Sequence, residues 1–149
     1  MALMSKLQAA YLAGLVDGEG YIGILQTKRG NKAEWHSSRQ YMYSPVLKVC
    51  MTDKRVIEWL YGSFGGTFET RKAHGKNRES YAWMCRKAAV ASFLKYIYPY
   101  MRVKRKQAEI VFRFPTLKAG DKVSDGVYAE RESLCYEIRC LNKVGSLRD

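Results

Sequence analysis

Three things that the 149-residue chain lacks narrow its class. No apolar run approaches the ~20 residues that a membrane-spanning helix needs, and the N-terminus does not have the charged-then-apolar layout of a signal peptide. The four cysteines form no Cys-x-x-Cys pair and only two histidines accompany them, which argues against a zinc site. We therefore expect an intracellular protein, of undetermined compartment, with reduced thiols and no membrane association.

Acidic residues are also scarce, with 14 of them against 26 Lys and Arg, so the net charge is +12. This balance favours a polyanionic partner, and nucleic acid fits better than a membrane surface. The excess is concentrated: residues 28–55 hold seven basic and two acidic residues and residues 67–87 hold six and two, whereas residues 117–149 hold six of each. We expect the polyanion to bind the middle of the chain and the C-terminal part to be structural.

The period of the apolar residues changes along the chain and predicts the fold. The predicted elements are a helix at 5–18, strands from 21 and at 46–51, a helix at 54–63, strands at 67–72 and 80–86, and helices at 87–98, 101–114 and 125–142. This order predicts one α+β domain over residues 1–149, with an αββαββα core at 1–116 and a helical extension at 117–149. A single antiparallel sheet would be covered by helices on one face and left open and basic on the other.

The first predicted helix carries small residues at Ala10, Gly14 and Gly18, which leave one stripe of its surface almost without side chains. Each glycine inside a helix costs about 1 kcal/mol relative to alanine. Close approach of another backbone is the expected compensation. A second, apolar stripe is expected to face the core. It consists of Leu7, Tyr11 and Leu15, with Leu3 before it.

Residues 12–20 read LAGLVDGEG, which resembles the signature of the LAGLIDADG homing endonucleases, with Val16 for Ile, Gly18 for Ala and Glu19 for the terminal Asp. The motif occurs once, so the chain resembles the single-motif, homodimeric branch rather than the two-motif monomers. The resemblance implies that two such helices pack against each other at a dimer axis. The interface residues that it implies are Ala10, Ala13, Gly14 and Gly18.

Glu19 is the catalytic and metal-binding residue that the resemblance implies. Two copies of Glu19 at a dimer axis would repel each other unless a cation lay between them. Hard divalent cations suit carboxylate ligands, and Mg²⁺ is the expected cofactor. The resemblance adds the carbonyl of Gly18 as a further ligand. Metal-assisted hydrolysis of one phosphodiester in each DNA strand is the implied reaction, which gives a double-strand break.

Two further residues carry over by resemblance to catalytic roles. Asp53 matches a polar residue that orders active-site water in the family, but it also stands where it would cap the helix that begins at Lys54, and the sequence leaves both roles open. Lys104 matches a basic residue that completes the solvent network and stabilises developing negative charge. Its alternative is an ordinary solvated position on a helix among Arg102 and Arg105.

The open sheet face is the expected DNA-reading surface. At ~3.3 Å per residue, strands of about seven residues in each half of a dimer would cover roughly 14 base pairs. Tyr81 and Trp83 suit core packing as well as base contact, because the facing of their strand is not decided by the sequence. The candidate DNA contacts are Tyr21, Thr27, Arg29, Ser44, Lys48, Thr70, Lys72, Arg78, Tyr81 and Trp83.

The leading hypothesis is therefore a site-specific homing endonuclease that cuts a long, roughly palindromic double-stranded DNA site as a homodimer. Two alternatives use the same fold. One is an intron maturase that binds RNA, and the other is a sequence-specific DNA-binding protein without catalysis. The presence of Glu19 together with Asp53 and Lys104 favours catalysis.

Overall fold

The chain passes twice through the order helix, strand, strand before its last helices, as the apolar pattern predicts. The computed structural model describes residues 4–28 and 40–146, the last three by their backbone only. Its elements are α1 (Lys6–Glu19), β1 (Gly20–Lys28), β2 (Tyr41–Met51), α2 (Lys54–Phe64), β3 (Thr67–Arg71), β4 (Ser80–Arg86), α3 (Ala88–Ile97), a 3₁₀ turn (Tyr98–Tyr100), α4 (Arg105–Arg113) and α5 (Asp125–Ser146). The predicted α+β class and αββαββα order are confirmed. None of the described helices is long and apolar enough to cross a membrane.

The four strands form one antiparallel sheet in the order β1-β2-β4-β3. Residues that pair directly across neighbouring strands point to the same face, so the register assigns every side chain. Leu47 pairs with Ile22 and with Cys85, and all three are buried beneath the helices. We call this side the helix-covered face and the other side the open face. The open face carries Tyr21, Gly23, Leu25, Thr27, Met42, Ser44, Val46, Lys48, Cys50, Thr67, Glu69, Arg71, Ser80, Ala82, Met84 and Arg86.

Helix α1 begins where the sequence predicts and buries a different stripe from the one expected. Ser5 and Gln8 form a reciprocal capping box at its start. The side chains that it buries are Ala9, Leu12, Ala13 and Val16, at the three-and-four spacing of one helix face. The prediction for Leu7, Tyr11 and Leu15 is wrong, since Leu7 is 85% exposed and Tyr11 is 53% exposed. The small side chains of Ala9 and Ala13 allow α1 to lie close to its neighbours, which Leu7 and Tyr11 would prevent.

Helix α5 covers the outer edge of β1. The Asn142 amide nitrogen donates to the Ile22 carbonyl at 3.0 Å, and the Cys135 thiol lies 3.6 Å from the Ile24 carbonyl. Edge strands expose unpaired backbone groups that invite pairing with other chains. Helix α5 therefore closes the edge of the sheet that lies next to α1.

The four cysteines are free thiols, as expected, but they are not all buried. Cys85 and Cys135 are buried, Cys50 is half-buried and Cys140 is exposed.

Candidate active site and nucleic-acid interface

Glu19 is the last residue of α1, and its side chain is exposed. The chain turns from helix to strand directly after it, at Gly20, whose N–H donates to the Val16 carbonyl. A Cβ atom at Gly20 would lie 2.6 Å from that same carbonyl oxygen, so only glycine allows the strand to leave the helix so closely. Tyr21, the first residue of the open face, follows one residue later. The carboxylate therefore stands at the junction of α1 and the open face.

Lys104 lies at this junction although it is far from Glu19 in the sequence. Its ammonium group donates to the Val16 carbonyl at 3.1 Å and to the Gly20 carbonyl. A cation at the C-terminal end of a helix is stabilised by the helix dipole. Burial lowers the pKa of Lys104, while the negative charges of Asp17 and Glu19 act in the opposite direction. The structure thus places the Lys104 ammonium group at the end of α1 where Glu19 lies.

Asp17, to which the sequence assigns no role, joins α1 to the segment that carries Lys104. Its carboxylate accepts the backbone N–H of Arg102 at 2.8 Å and that of Lys104 at 3.0 Å. These bonds hold residues 102–104 in a non-helical conformation, so α4 begins at Arg105 rather than at the predicted residue 101. The sequence gives no sign of this role because the partners are main-chain groups.

Asp53 caps α2, one of the two roles left open by the sequence. Its carboxylate accepts the backbone N–H of Arg55 at 2.9 Å and pairs with the Arg55 guanidinium at 2.7 Å. These bonds from Arg55 lower the pKa of Asp53. Asp53 lines a shallow groove with Leu7, Gln8 and Tyr11, and Tyr11 is about 12 Å of helix rise from Glu19. Within the described part of one protomer, Asp53 makes no contact with Glu19.

The metal ligands that the family resemblance implies are Glu19 and the carbonyl of Gly18. Among the described residues, no three His, Cys, Asp or Glu side chains are close enough together to hold a metal ion. One protomer offers the exposed carboxylate of Glu19 and, one residue before it, the carbonyl of Gly18, which lies among the last four of α1 and has no partner within the helix. Hard cations take six or more oxygen ligands. The Glu19 carboxylate and the Gly18 carbonyl are oxygen donors of the kind that such cations prefer.

The stripe of small residues on α1 is free for a second chain. Ala10, Gly14 and Gly18 are exposed, and a Cβ atom at Gly14 or Gly18 would meet nothing within 4 Å. The glycines are thus not required by packing within the protomer. The prediction that Ala13 lies in the dimer interface is wrong. It is fully buried in its own protomer, because it belongs to the stripe that packs on the core.

The structure places the predicted DNA contacts in different parts of the protein. Tyr21, Thr27, Ser44 and Lys48 lie on the open face. Lys72 and Arg78 are exposed in the hairpin loop between β3 and β4. Arg29 lies outside the described residues.

The prediction of DNA contact is wrong for three residues whose side chains point to the helix-covered face: Thr70, Tyr81 and Trp83. Trp83 is completely buried, its indole nitrogen donates to the Gly65 carbonyl at 2.7 Å, and its ring packs on Phe93 of α3. Tyr81 stacks at a tilt beside Phe68. Thr70 pairs with Tyr81 and shares its face.

The same register reveals open-face residues that the sequence analysis missed. In β4 these are Ser80, Met84 and Arg86, and in β3 they are Thr67, Glu69 and Arg71. Arg71 and Arg86 are exposed and, with Lys48, make the open face of the strands positive. The alternation of β4 did not reveal them, because Ala82 and Met84 on the open face are apolar, as are Trp83 and Cys85 on the other face.

Comparisons with known proteins agree with this geometry. The sequence profile of the family described as LAGLIDADG endonuclease matches residues 12–112. No curated protein matches the chain. Among solved structures, the homing endonuclease I-CvuI in complex with its target is 22% identical, with a TM-score of 0.74 over 91% of this chain and 82% of that one.

A second similar structure is the archaeal intron-encoded homing endonuclease I-Vdi141I complexed with DNA. It is 17% identical, with a TM-score of 0.64 over 91% of this chain and 84% of that one. At these identities the similarity to solved structures shows a shared fold. The family profile spans more than half of the sequence and includes the second half of α1 with Glu19, as well as Lys104. The chain belongs to the LAGLIDADG endonuclease family.

Proposed function

We propose that two copies of this chain form a site-specific homing endonuclease that makes a Mg²⁺-dependent double-strand break in a long, roughly palindromic DNA site. One observation carries the proposal. Glu19 stands exposed beside the ammonium group of Lys104, at the end of a helix whose exposed stripe has almost no side chains. A catalytic carboxylate, a cation and a surface for a second copy therefore converge on one helix.

The metal is proposed from the oxygen donors of the paired ends of α1. Glu19 and the Gly18 carbonyl of each copy would hold the cation. Once bound, a divalent cation would lower the pKa of water and stabilise the charge of the phosphodiester during hydrolysis. I-CvuI has been crystallised with DNA in the presence of Ca and in the presence of Mg, which supports a divalent cation in this fold.

Lys104 is proposed to stabilise the negative charge that develops on the phosphate. Its ammonium group is already bound to two carbonyls at the end of α1, so it needs no reorganisation when substrate binds. Preorganised positive groups of this kind are among the most effective in catalysis. Partial burial strengthens the effect because the screening by water is weaker.

Asp53 is proposed to order water at the edge of the site while it caps α2. The carboxylate has four lone-pair sites, and the contacts with Arg55 leave room for water beside a half-exposed side chain.

The open face is proposed to read the DNA. Lys48, Arg71 and Arg86 project from three adjacent strands and would contact phosphates or guanine edges in the major groove. Three hydroxyl-bearing side chains on the same face would add hydrogen bonds to the DNA: Tyr21, Thr27 and Ser44. The exposed hairpin loop with Lys72 and Arg78 would extend the bound length at one end of the sheet.

Cleavage of a plasmid library in Mg²⁺, followed by sequencing of the ends, tests the proposal. The expected result is paired cuts, one in each strand, at one long and nearly symmetric site. Glu19→Gln should abolish cutting while DNA binding remains. Glu58→Gln is the matched control, because it removes the same charge from an exposed position on α2 and should cut normally.

Other outcomes distinguish the alternatives. Tight binding of a structured intron RNA without DNA cleavage would indicate a maturase. Specific DNA binding without cleavage in any divalent cation would indicate a DNA-binding regulator. Normal cutting by Glu19→Gln would rule out a catalytic role for the Glu19 carboxylate.

A further inference from the structure

The helix motif contains two acidic residues, and the structure gives them different environments. Glu19 is exposed, whereas Asp17 is half-buried two residues earlier. Each oxygen of the Asp17 carboxylate accepts one backbone N–H, from Arg102 at 2.8 Å and from Lys104 at 3.0 Å. Both oxygens of this half-buried carboxylate thus bind the backbone of a segment that is distant in sequence. Its geometry suits holding another segment in place.

The segment that Asp17 holds has few other attachments. Met101 is buried, but Arg102 is exposed and Val103 is 71% exposed. Lys104 is the N-cap of α4 and makes no capping bond with its own side chain. Among the described residues, the other backbone bonds at its two ends are from the Met101 N–H to the Tyr98 carbonyl and from the Ala108 N–H to the Lys104 carbonyl. The two bonds to Asp17 are therefore the ones that attach the backbone of residues 102–104 to α1.

The position of the Lys104 ammonium group depends on that backbone. The side chain reaches the carbonyls of Val16 and Gly20, which lie on either side of Asp17 along the chain. Three groups at the junction of α1 and β1, two carbonyls and one carboxylate, thus fix both the backbone and the ammonium group of Lys104. A shift of 1 Å in such a group can cost about 100-fold in rate.

We propose that Asp17 is a positioning residue for the reaction, which clamps the backbone of residues 102–104 so that the ammonium group of Lys104 is held beside Glu19. This inference rests on the proposed function. Asp17 acts only through Lys104 and touches neither the metal nor the DNA.

A double-mutant cycle in the full-length protein tests the coupling. Asp17→Asn replaces one acceptor oxygen with an NH₂ group, which cannot accept the backbone N–H that it faces. The rate of single-turnover cleavage should therefore fall about as far as in Lys104→Ala. The affinity for DNA should not change. The double variant should be no slower than Lys104→Ala, because the two changes remove the same interaction. Normal cleavage by Asp17→Asn, or independent losses that multiply in the double variant, would overturn the inference.

A second pair of variants removes the donor and leaves Asp17 intact. Arg102→Pro deletes the N–H that Asp17 accepts, and Met101 already has the extended backbone (φ −72°, ψ 147°) that a residue before proline prefers. Arg102→Ala is the matched control, since it removes the guanidinium and keeps the N–H. Slower cleavage by the proline variant than by the alanine variant supports the clamp, and equal rates contradict it.

A measurement without DNA separates this inference from the proposed function. Amine-specific acetylation followed by mass spectrometry should label Lys104 slowly in the parent protein and at least tenfold faster in Asp17→Asn, while exposed Lys95 is labelled equally in both. This result would support the clamp even if the protein cut no DNA. Unchanged labelling of Lys104 would refute the clamp even if the protein proved to be an endonuclease.

Discussion

The aromatic ring of Tyr21 lies over Gly23, two residues further along β1 on the open face of the sheet. A Cβ atom at Gly23 would be 2.6 Å from the Tyr21 hydroxyl oxygen and 2.7 Å from two ring carbons. Gly23 is buried although it faces away from the helices, and this ring covers it. The absence of a side chain at position 23 therefore sets the orientation of Tyr21 on the proposed DNA surface.

Gly23→Ala should alter DNA recognition more than stability. The methyl group would displace the end of a flexible side chain, so we expect the free energy of unfolding to change by less than about 1 kcal/mol. The Tyr21 ring would turn away from the strand, and the base preference should change at one position in each half-site. Cleavage of randomised sites measures this. Adding Gly23→Ala to Tyr21→Ala should have no further effect on preference, because no ring is left to displace.

Gly14→Leu should block dimer formation without harm to the protomer. The position is open within one chain, and leucine favours a helix by roughly 1 kcal/mol over glycine. Sedimentation should show a monomer, and cleavage should be lost. Gly62→Leu makes the same change at an exposed position of α2, where a Cβ atom also meets nothing, and should remain dimeric and active. A fully dimeric Gly14→Leu protein would place the interface elsewhere.

Trp83→Phe should destabilise the fold and leave the target preference unchanged. The variant loses the bond to the Gly65 carbonyl and part of the packing on Phe93, for a cost of about 1–3 kcal/mol. Tyr81→Phe is the mild comparison, because the one hydrogen bond of its hydroxyl within the described residues is to the exposed Glu79. Urea unfolding and cleavage of randomised sites measure the two effects. Altered base preference in Trp83→Phe would contradict the facing of β4.

Asp53 variants can separate capping from catalysis. Serine is also a good N-cap, so Asp53→Ser should keep the stability that Asp53→Ala loses, about 1 kcal/mol. If the carboxylate also orders water at the active site, both variants should cleave more slowly to a similar extent. If Asp53→Ser is fully active and only the less stable Asp53→Ala cleaves more slowly, Asp53 is a helix cap without a catalytic role.

Thiol labelling should distinguish the cysteines at pH 8. Exposed Cys140 should react first. Burial raises the pKa of Cys85 from 9.0 to about 12, so this thiol should react only after unfolding in urea. Because the folded pKa is the higher one, the contribution of Cys85 to stability is complete below pH 9 and is lost as the pH rises towards 12. Mass spectrometry of labelled peptides checks this, and equal labelling of Cys85 and Cys140 in the folded protein would contradict it.

The local features of this protein follow from its sequence, whereas its long-range ones do not. Ser5 and Gly20 mark the limits of α1, and the period-two pattern after Tyr21 predicts β1, because these signals arise from neighbouring residues. The facing of β4 depends on the pairing of Trp83 with Val49, a contact between residues that are distant in sequence. Because Tyr81 and Trp83 are aromatic residues in a basic region, their sequence was compatible with either face of the sheet.

The candidate site shows the same limit. Glu19 is conspicuous in its motif, but the position of Lys104 beside it could come only from the family resemblance. Asp17 belongs to the motif, but its partners could not be identified from the sequence, since backbone N–H groups are present at every residue except proline. Three-dimensional packing was needed to show which N–H groups it meets.

The ammonium group of Lys104 is attached to the carbonyls of Val16 and Gly20, and those oxygens belong to the main chain. Any residue that fits the core at position 16 supplies the same acceptor, so substitution there can change packing without moving the lysine. Mutational tolerance around the site should therefore be uneven: wide at position 16 within the volume that the core allows, and narrow at Gly20, where a Cβ atom has no room. Libraries that aim to improve this protein can vary position 16 while they keep Asp17, Glu19, Gly20 and Lys104 fixed.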